Sequence, residues 1–163
     1  MTGGSATVLS SSAGEQPWPG HTIYNTAMAS LNMMVRCAAL ENAHHQVRVN
    51  AVAPGYVRSE DGGRQNGEFH NALTAEQNHL ILGEAAASTP LLGYTGKLPD
   101  GSDGQYIYQI QEPLDVASQM LWLGSQNASF MNGEVLVIDG GLTTTTADYL
   151  EYVRRAEEAD ERL

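Results

Sequence analysis

The chain has 163 residues, the size of one ordinary domain. Asp and Glu number 19 against 8 Lys and Arg, a formal charge of −11, so a basic surface for nucleic acid or an anionic membrane is not expected. The single cysteine, Cys37, excludes an internal disulfide and a zinc site built on several cysteines. No signal peptide or membrane-length apolar run is found, so we expect a cytoplasmic protein.

Three short segments rich in β-branched residues predict strands. Residues 6–12 begin as a strand and run into a polar loop, residues 47–53 stop at Pro54-Gly55, and residues 134–138 precede a second glycine turn. Nearly continuous apolar runs of this kind are typical of strands that are buried on both faces of a parallel sheet.

Helical segments alternate with these strands. Residues 21–43 carry an apolar stripe at helical spacing, and a helix this apolar is usually covered on more than one side. Its members are Ala27, Leu31, Met34, Val35 and Ala38. A second helix is predicted to begin at Glu112-Pro113, because proline is favoured in the first turn. The alternation predicts an α/β fold with right-handed crossovers.

Two further segments lie outside this pattern. Residues 56–111 form a long connection, a type of segment that often acts as a lid or a binding loop. Within it, a capping box predicts a helix over about residues 75–87, and residues 105–110 predict an added strand. Residues 143–163 form a charged tail, for which a solvated helix is favoured over docking on a partner subunit.

The order and spacing of several motifs resemble the C-terminal half of the short-chain dehydrogenase/reductase family over about residues 6–142. Ser11 lies in the segment Leu-Ser-Ser-Ser-Ala-Gly, and Tyr24 follows it at the family's spacing between catalytic serine and tyrosine. Residues 48–55 are similar to the family's strand before the substrate loop. Residues 112–117 resemble its late helix, and residues 128–133 and 137–141 resemble its last strand and turn.

The resemblance implies a truncated Rossmann-like parallel sheet with flanking helices. It divides the chain into a domain over residues 1–142, with an extended substrate-loop or lid region at 56–111, and a tail at 143–163. The family's Gly-rich pyrophosphate loop, its ribose selector and its catalytic asparagine belong to an N-terminal half without a counterpart here.

A second departure concerns the family pattern Tyr-x-x-x-Lys, which ends here in Met28 after Tyr24. In the family that lysine binds the nicotinamide ribose and lowers the pKa of the tyrosine. Methionine supplies neither a charge nor a donor. Hydride transfer by this chain alone is therefore not expected, and no cofactor is predicted.

The predicted catalytic residues are Ser11, Tyr24 and His21. Two neighbouring hydroxyls can donate hydrogen bonds to a substrate carbonyl. His21, about one helical turn before Tyr24, is the nearest candidate base, with a capping or solvated role as the alternative. No cluster has convincing metal-ligand spacing, so no metal is expected.

The predicted substrate-binding residues lie in three places: at the lysine position of the family pattern, at the end of the strand over residues 47–53, and in the lid region. They are Met28, Pro54, Gly55, Tyr56, His70 and His79. Core packing is the alternative role for Met28, and solvent exposure is the alternative for the two histidines.

Together these residues favour a cofactor-independent enzyme over a self-sufficient NAD(P)-dependent dehydrogenase. It would cyclise, isomerise or dehydrate a small, largely apolar carbonyl or hydroxyl compound. A non-catalytic binding or scaffold subunit and half of a split NAD(P)-dependent oxidoreductase are the alternatives. The strand that leads into Ser11 would expose an unpaired edge. We expect residues 105–110, the tail or another chain to cover this edge. The simplest such assembly is a two-fold homodimer.

Overall fold

A computed structural model describes residues 3–57, 89–90, 94–97, 103–106, 111–145 and 155. The elements of these ranges are, in chain order, β1 (Gly4–Leu9), α1 (Thr22–Asn42), β2 (Val47–Pro54), β3 (Tyr94–Lys97), β4 (Asp103–Tyr106), α2 (Pro113–Gly124) and β5 (Val135–Ile138). The predicted helix over residues 75–87, together with His70 and His79, lies outside the described residues, as does all of the tail after residue 145 except Arg155.

The strands β1, β2 and β5 form one parallel sheet in the order β1–β2–β5. Leu9 pairs with Val52, and Pro54 pairs with Ile138. The carboxyl ends of all three strands therefore lie at the same edge of the sheet. The predicted α/β fold with a parallel sheet is confirmed.

Side chains of the central strand β2 alternate between two apolar clusters, one under each helix. Ala51 and Ala53 pack with Val35 of α1, and Val52 packs with Leu123 of α2. Because alternate residues of a strand point to opposite faces, the two helices lie on opposite sides of the sheet. The result is a three-layer α/β/α arrangement.

The buried face of α1 differs from the predicted stripe. The buried residues are Asn32, Val35 and Ala39, whereas Met34 of the predicted stripe is 53% exposed. At 3.6 residues per turn, neighbouring positions point about 100° apart, so the sheet contacts a strip shifted by about one residue.

Covering of α1 on more than one side stays a prediction. Its other faces carry exposed apolar side chains, namely Ile23, Met33, Met34 and Leu40. Although α1 has 21 residues, neither it nor any other described helix has the hydropathy needed to cross a membrane.

The strand β1 is less buried than its apolar sequence predicts. Its residues are exposed or half-buried, and in the described part of the chain β2 is its only partner. The strands β3 and β4 instead form a separate antiparallel hairpin, with Tyr94 opposite Tyr106. The segment predicted at 105–110 is thus a strand at Asp103–Tyr106 that does not cover the free edge of β1; residues 107–110 lie outside the described ranges.

Two polar side chains of β2 fix the chain that leads into β5. Arg48 donates to the carbonyls of Leu123 at 2.9 Å and Met131 at 3.3 Å. The side chain of Asn50, which is fully buried, donates to the Met131 carbonyl at 2.9 Å and accepts from the Glu134 backbone N–H at 3.0 Å. Since buried polar groups are costly when unpaired, Asn50 specifies where β5 begins.

Replacing Asn50 by alanine is predicted to lower the free energy of unfolding by about 2–4 kcal/mol, because the Met131 carbonyl and the Glu134 N–H both lose a buried partner. Urea denaturation measures the change. Asn127→Ala is the matched control, since Asn127 is exposed, and its effect should stay within about 0.5 kcal/mol. Equal losses in the two variants would contradict this role of Asn50.

Candidate active site

Segments from three parts of the chain meet at the carboxyl edge of the sheet. Ser11 follows β1, Tyr24 lies in the first turn of α1, and Tyr56 follows β2. Ligands of open parallel sheets bind at this edge, beyond the ends of the strands. Most of the described residues that the sequence predicts for the site lie at this edge.

Ser11 caps a short 3₁₀ turn, Ser12–Gly14. Its Oγ accepts a hydrogen bond from the backbone N–H of Ala13 at 3.2 Å. A hydroxyl that accepts in this way still has its own proton to donate. The half-buried Ser11 side chain can therefore donate to a substrate oxygen while the turn holds its Oγ in place.

Gly14 allows the serine loop to lie directly against α1. A Cβ on Gly14 would be 2.8 Å from the backbone carbon of Met28 and 2.7 Å from Nδ2 of Asn32. Tyr24, Met28 and Asn32 are spaced four residues apart and so share one face of the helix. The loop that carries Ser11 therefore packs on the helix face that carries Tyr24.

A buried polar network holds this contact together. Asn32, which is 1% exposed, accepts a hydrogen bond from the Ser10 hydroxyl and donates to the Glu15 carboxylate at 2.8 Å. Arg36 lies 3.8 Å from the same carboxylate oxygen. Because Ser10 and Glu15 flank Ser11 on both sides, Asn32 fixes the serine loop to α1.

Tyr24 and His21 lie at the open end of this arrangement. Tyr24 is 45% exposed, and His21 is exposed at the N-cap position of α1, where its side chain makes no capping bond. The Nδ1 of His21 is 3.1 Å from the Pro19 carbonyl oxygen. A neutral imidazole that donates from Nδ1 leaves Nε2 free to accept a proton, as a general base requires.

Met28 occupies the position at which the family resemblance expects the lysine for the nicotinamide ribose. Its side chain is half-buried, and its thioether has no charge and no N–H to donate. The described residues therefore do not fit that part of a dinucleotide, and we derive no chemistry through one. In the same ranges, no group of three or more His, Cys, Asp or Glu is placed to hold a metal ion.

Trp18 and Tyr56 form an aromatic pair beside these groups. Their ring centroids are 5.6 Å apart and their planes meet at 82°, the edge-to-face geometry that aromatic rings favour. The backbone carbonyl of Trp18 accepts from the His21 N–H at 3.2 Å, so the pair joins the end of β2 to the start of α1. Burial raises the pKa of the Tyr56 hydroxyl, which therefore keeps its proton at neutral pH.

The predicted residues Pro54 and Gly55 lead from β2 to Tyr56. Pro54 is buried at the end of β2, and a Cβ on Gly55 would lie 3.0 Å from the Cβ of Asp139. The N–H of Gly55 donates to the Gln111 side-chain oxygen at 3.1 Å. These contacts position Tyr56, and direct substrate contact by Pro54 and Gly55 stays a prediction.

The sequence motifs omit two residues that the structure places at the site. Asn32 is an uncharged polar residue between two apolar neighbours, Leu31 and Met33, and a polar residue in an apolar run is a signal for a buried hydrogen-bonding role. Trp18 lies between two prolines in the loop before α1, a pattern that gives rigidity but no indication of its contact with Tyr56.

Gly14→Ala is predicted to destabilise the chain by about 1–3 kcal/mol, because the new methyl group must displace the backbone of α1. Gly124→Ala is the matched control: a Cβ at Gly124 meets nothing within 4 Å, and the loss of glycine freedom leaves stability equal or slightly higher. Chemical denaturation of both variants measures the difference. A Gly14→Ala variant as stable as the wild type would contradict the packing of the serine loop on α1.

Tyr56 gives a prediction about stability at high pH. Its pKa is raised in the folded state, so above its ordinary pKa of about 10 the folded chain retains a proton that the unfolded chain loses. The contribution of the protonated Tyr56 hydroxyl to the free energy of unfolding is fully present below pH ~10 and is lost as the pH rises through the raised pKa. Tyr56→Phe should therefore lose less stability than the wild type between about pH 9 and pH 11, as measured by urea denaturation. Parallel pH profiles would show that burial of Tyr56 has no such effect.

Known proteins are similar to this chain in sequence and in fold. A family model described as enoyl-(acyl carrier protein) reductase matches residues 1–95. The 3beta-hydroxysteroid dehydrogenase 1 of Eggerthella lenta is 33% identical over 127 residues, which is 78% of this chain and 39% of that protein. The galactitol 2-dehydrogenase of Rhizobium johnstonii is 31% identical over 128 residues, with shares of 78% and 39%.

A solved structure gives the same fold. The short chain dehydrogenase family protein of Francisella tularensis superimposes with a TM-score of 0.64 at 22% identity, over 86% of this chain and 51% of that chain. This chain thus spans about half the length, or less, of the relatives it matches. Since the family model covers more than half of its residues, the chain belongs to the short-chain dehydrogenase/reductase family.

Proposed function

We propose that this chain binds a carbonyl or hydroxyl group of a small neutral molecule at Ser11 and Tyr24 and catalyses proton transfer there without a dinucleotide of its own. The observation that carries the proposal is the packing of the Ser11 loop on the Tyr24 face of α1, with Met28 in the place of the expected lysine. The Ser11 and Tyr24 hydroxyls are retained from the family pattern, and the lysine that serves hydride transfer is replaced by Met28.

The proposed chemistry begins with a ketone whose oxygen accepts hydrogen bonds from the two hydroxyls. A base removes a proton from the carbon next to the carbonyl, and the negative charge that develops on the oxygen is stabilised by both donors. His21 is the proposed base, accepting the proton at Nε2 in the tautomer whose Nδ1–H donates to the Pro19 carbonyl. When a double bond lies beside the enolate, return of the proton at its far carbon isomerises the substrate. Departure of a neighbouring hydroxyl together with that proton, as water, dehydrates it. Attack of the enolate on a second carbonyl carbon opens that C=O bond, whose oxygen takes up the proton, and closes a ring.

The surroundings favour a neutral, largely apolar substrate. Met28, Trp18 and Tyr56 contribute apolar surface, and the formal charge of −11 opposes the approach of an anion. The names of the relatives do not specify the compound, since one refers to a hydroxysteroid and another to galactitol.

A second candidate function is hydride transfer in an assembly in which another unit binds the dinucleotide. The relatives' names support it, because both are dehydrogenases. The single described partner of β1 and the exposed apolar side chains Ile23 and Met33 of α1 also support association with a second unit. We propose a two-fold homodimer as the simplest such assembly.

Proton exchange tests the first candidate directly. In D₂O without any nicotinamide, the chain is predicted to speed deuterium incorporation next to the carbonyl of 2-decalone, followed by proton NMR. Tyr24→Phe should slow the catalysed exchange by about 10²–10³-fold, because a donor to the developing oxyanion is lost. Ser11→Ala should act in the same direction, and His21→Ala should lower the rate by about 10²-fold or more.

Ser118→Ala is the matched control, since Ser118 is an exposed serine of α2 whose hydroxyl donates to the Leu114 carbonyl one turn before it. Its exchange rate should equal that of the wild type. Exchange that Tyr24→Phe leaves unchanged, in a variant with an unaltered unfolding midpoint, would contradict the proposal. Binding of the ketone with no catalysed exchange in the wild type would favour the non-catalytic alternative.

A further inference from the structure

We infer that Trp18 anchors the substrate at a second point, its indole N–H donating a hydrogen bond to a second oxygen of a neutral, ring-bearing substrate. The inference rests on the proposed function, which places the first oxygen of the substrate at Ser11 and Tyr24. It adds a requirement that this function does not contain, namely two oxygen functions on one apolar ring system.

The observation that supports this inference is a buried indole N–H without an acceptor. In the described part of the chain, Nε1 of Trp18 is buried and has no hydrogen-bond partner. Buried indole N–H groups normally find a partner, and leaving one unpaired costs about 1–3 kcal/mol. The Oε1 of Gln16 in the same loop is also buried and unpaired within the described ranges, so this loop leaves its polar groups unsatisfied beside the candidate site.

The position of the indole is fixed by contacts on both sides. Its ring packs edge-to-face on Tyr56, and its backbone carbonyl accepts from the His21 N–H. With its side-chain oxygen turned toward Trp18, Asn25 accepts from the Trp18 backbone N–H at 2.6 Å. Since Asn25 directly follows Tyr24, this bond ties the backbone of Trp18 to the first turn of α1, and a donor fixed in advance loses little entropy when a ligand binds.

The chemistry of these groups defines the ligand. An indole nitrogen only donates, so its partner is an acceptor such as a hydroxyl, ether or carbonyl oxygen. The faces of Trp18 and Tyr56 favour an apolar ring. The nearby carboxylate of Glu15 is engaged by Asn32 and Arg36, so the ligand needs no charge to balance it.

The test follows the two indole N–H signals of the full chain by ¹H–¹⁵N NMR, with Trp18→Phe and Trp122→Phe used to assign them. The probes are 2-decalone, with one oxygen, and 6-hydroxy-2-decalone, with two. We expect the two-oxygen probe to shift the Trp18 signal downfield, as a new hydrogen bond requires, while the signal of Trp122 on α2 stays in place. Saturation of the protein without a downfield shift of Trp18 would overturn the inference, and so would failure of both probes to bind.

Calorimetric affinities of the variants separate this inference from the proposed function. Trp18→Phe keeps an aromatic ring and removes the donor, so it should weaken the binding of 6-hydroxy-2-decalone about tenfold more than it weakens the binding of 2-decalone. If Trp18→Phe weakens the binding of both probes equally, or of neither, the role of Trp18 is overturned. If Tyr24→Phe loses the binding of both probes in the same experiment, the proposed function still stands. Binding that Tyr24→Phe leaves intact would contradict the proposed function itself, whatever the result for Trp18.

Discussion

Close packing of the serine loop against α1 is the contact on which the candidate site depends. Gly14 permits it, because any side chain there would collide with the backbone of Met28. Asn32 holds it through hydrogen bonds to Ser10 and Glu15. Interiors are close-packed and respond to changes as small as one methylene group, so the placement of Ser11 relative to Tyr24 follows from this one contact.

The sheet supplies the rest of the geometry. Its central strand β2 is buried under both helices, and its buried Asn50 fixes the start of β5. The end of β2 then delivers Tyr56 to the same edge at which Ser11 emerges from β1. The aromatic pair with Trp18 therefore connects the strand end to the loop that leads into the helix carrying Tyr24.

The sequence predicted the sheet and the helix bounds well because these follow from local periodicity. The helix expected over residues 21–43 is observed at Thr22–Asn42. The buried face of that helix was predicted less well, since apolar periodicity favours Met34 and has no place for a buried polar residue such as Asn32. Ser11 and Tyr24 were predicted from motif spacing and their catalytic role stays a prediction, whereas the contact of Trp18 with Tyr56 joins distant parts of the chain that no local pattern connects.

The most direct test of this account is a titration of the full chain with NADH and NADPH, followed by the fluorescence of the bound cofactor. We propose that the Ser11 and Tyr24 hydroxyls work without a dinucleotide of the chain's own, because Met28 replaces the group that would hold the nicotinamide ribose. We therefore expect no saturable binding tighter than about 1 mM for either cofactor. Saturable binding in the micromolar range would contradict it and would return this chain to the hydride-transfer chemistry of its relatives.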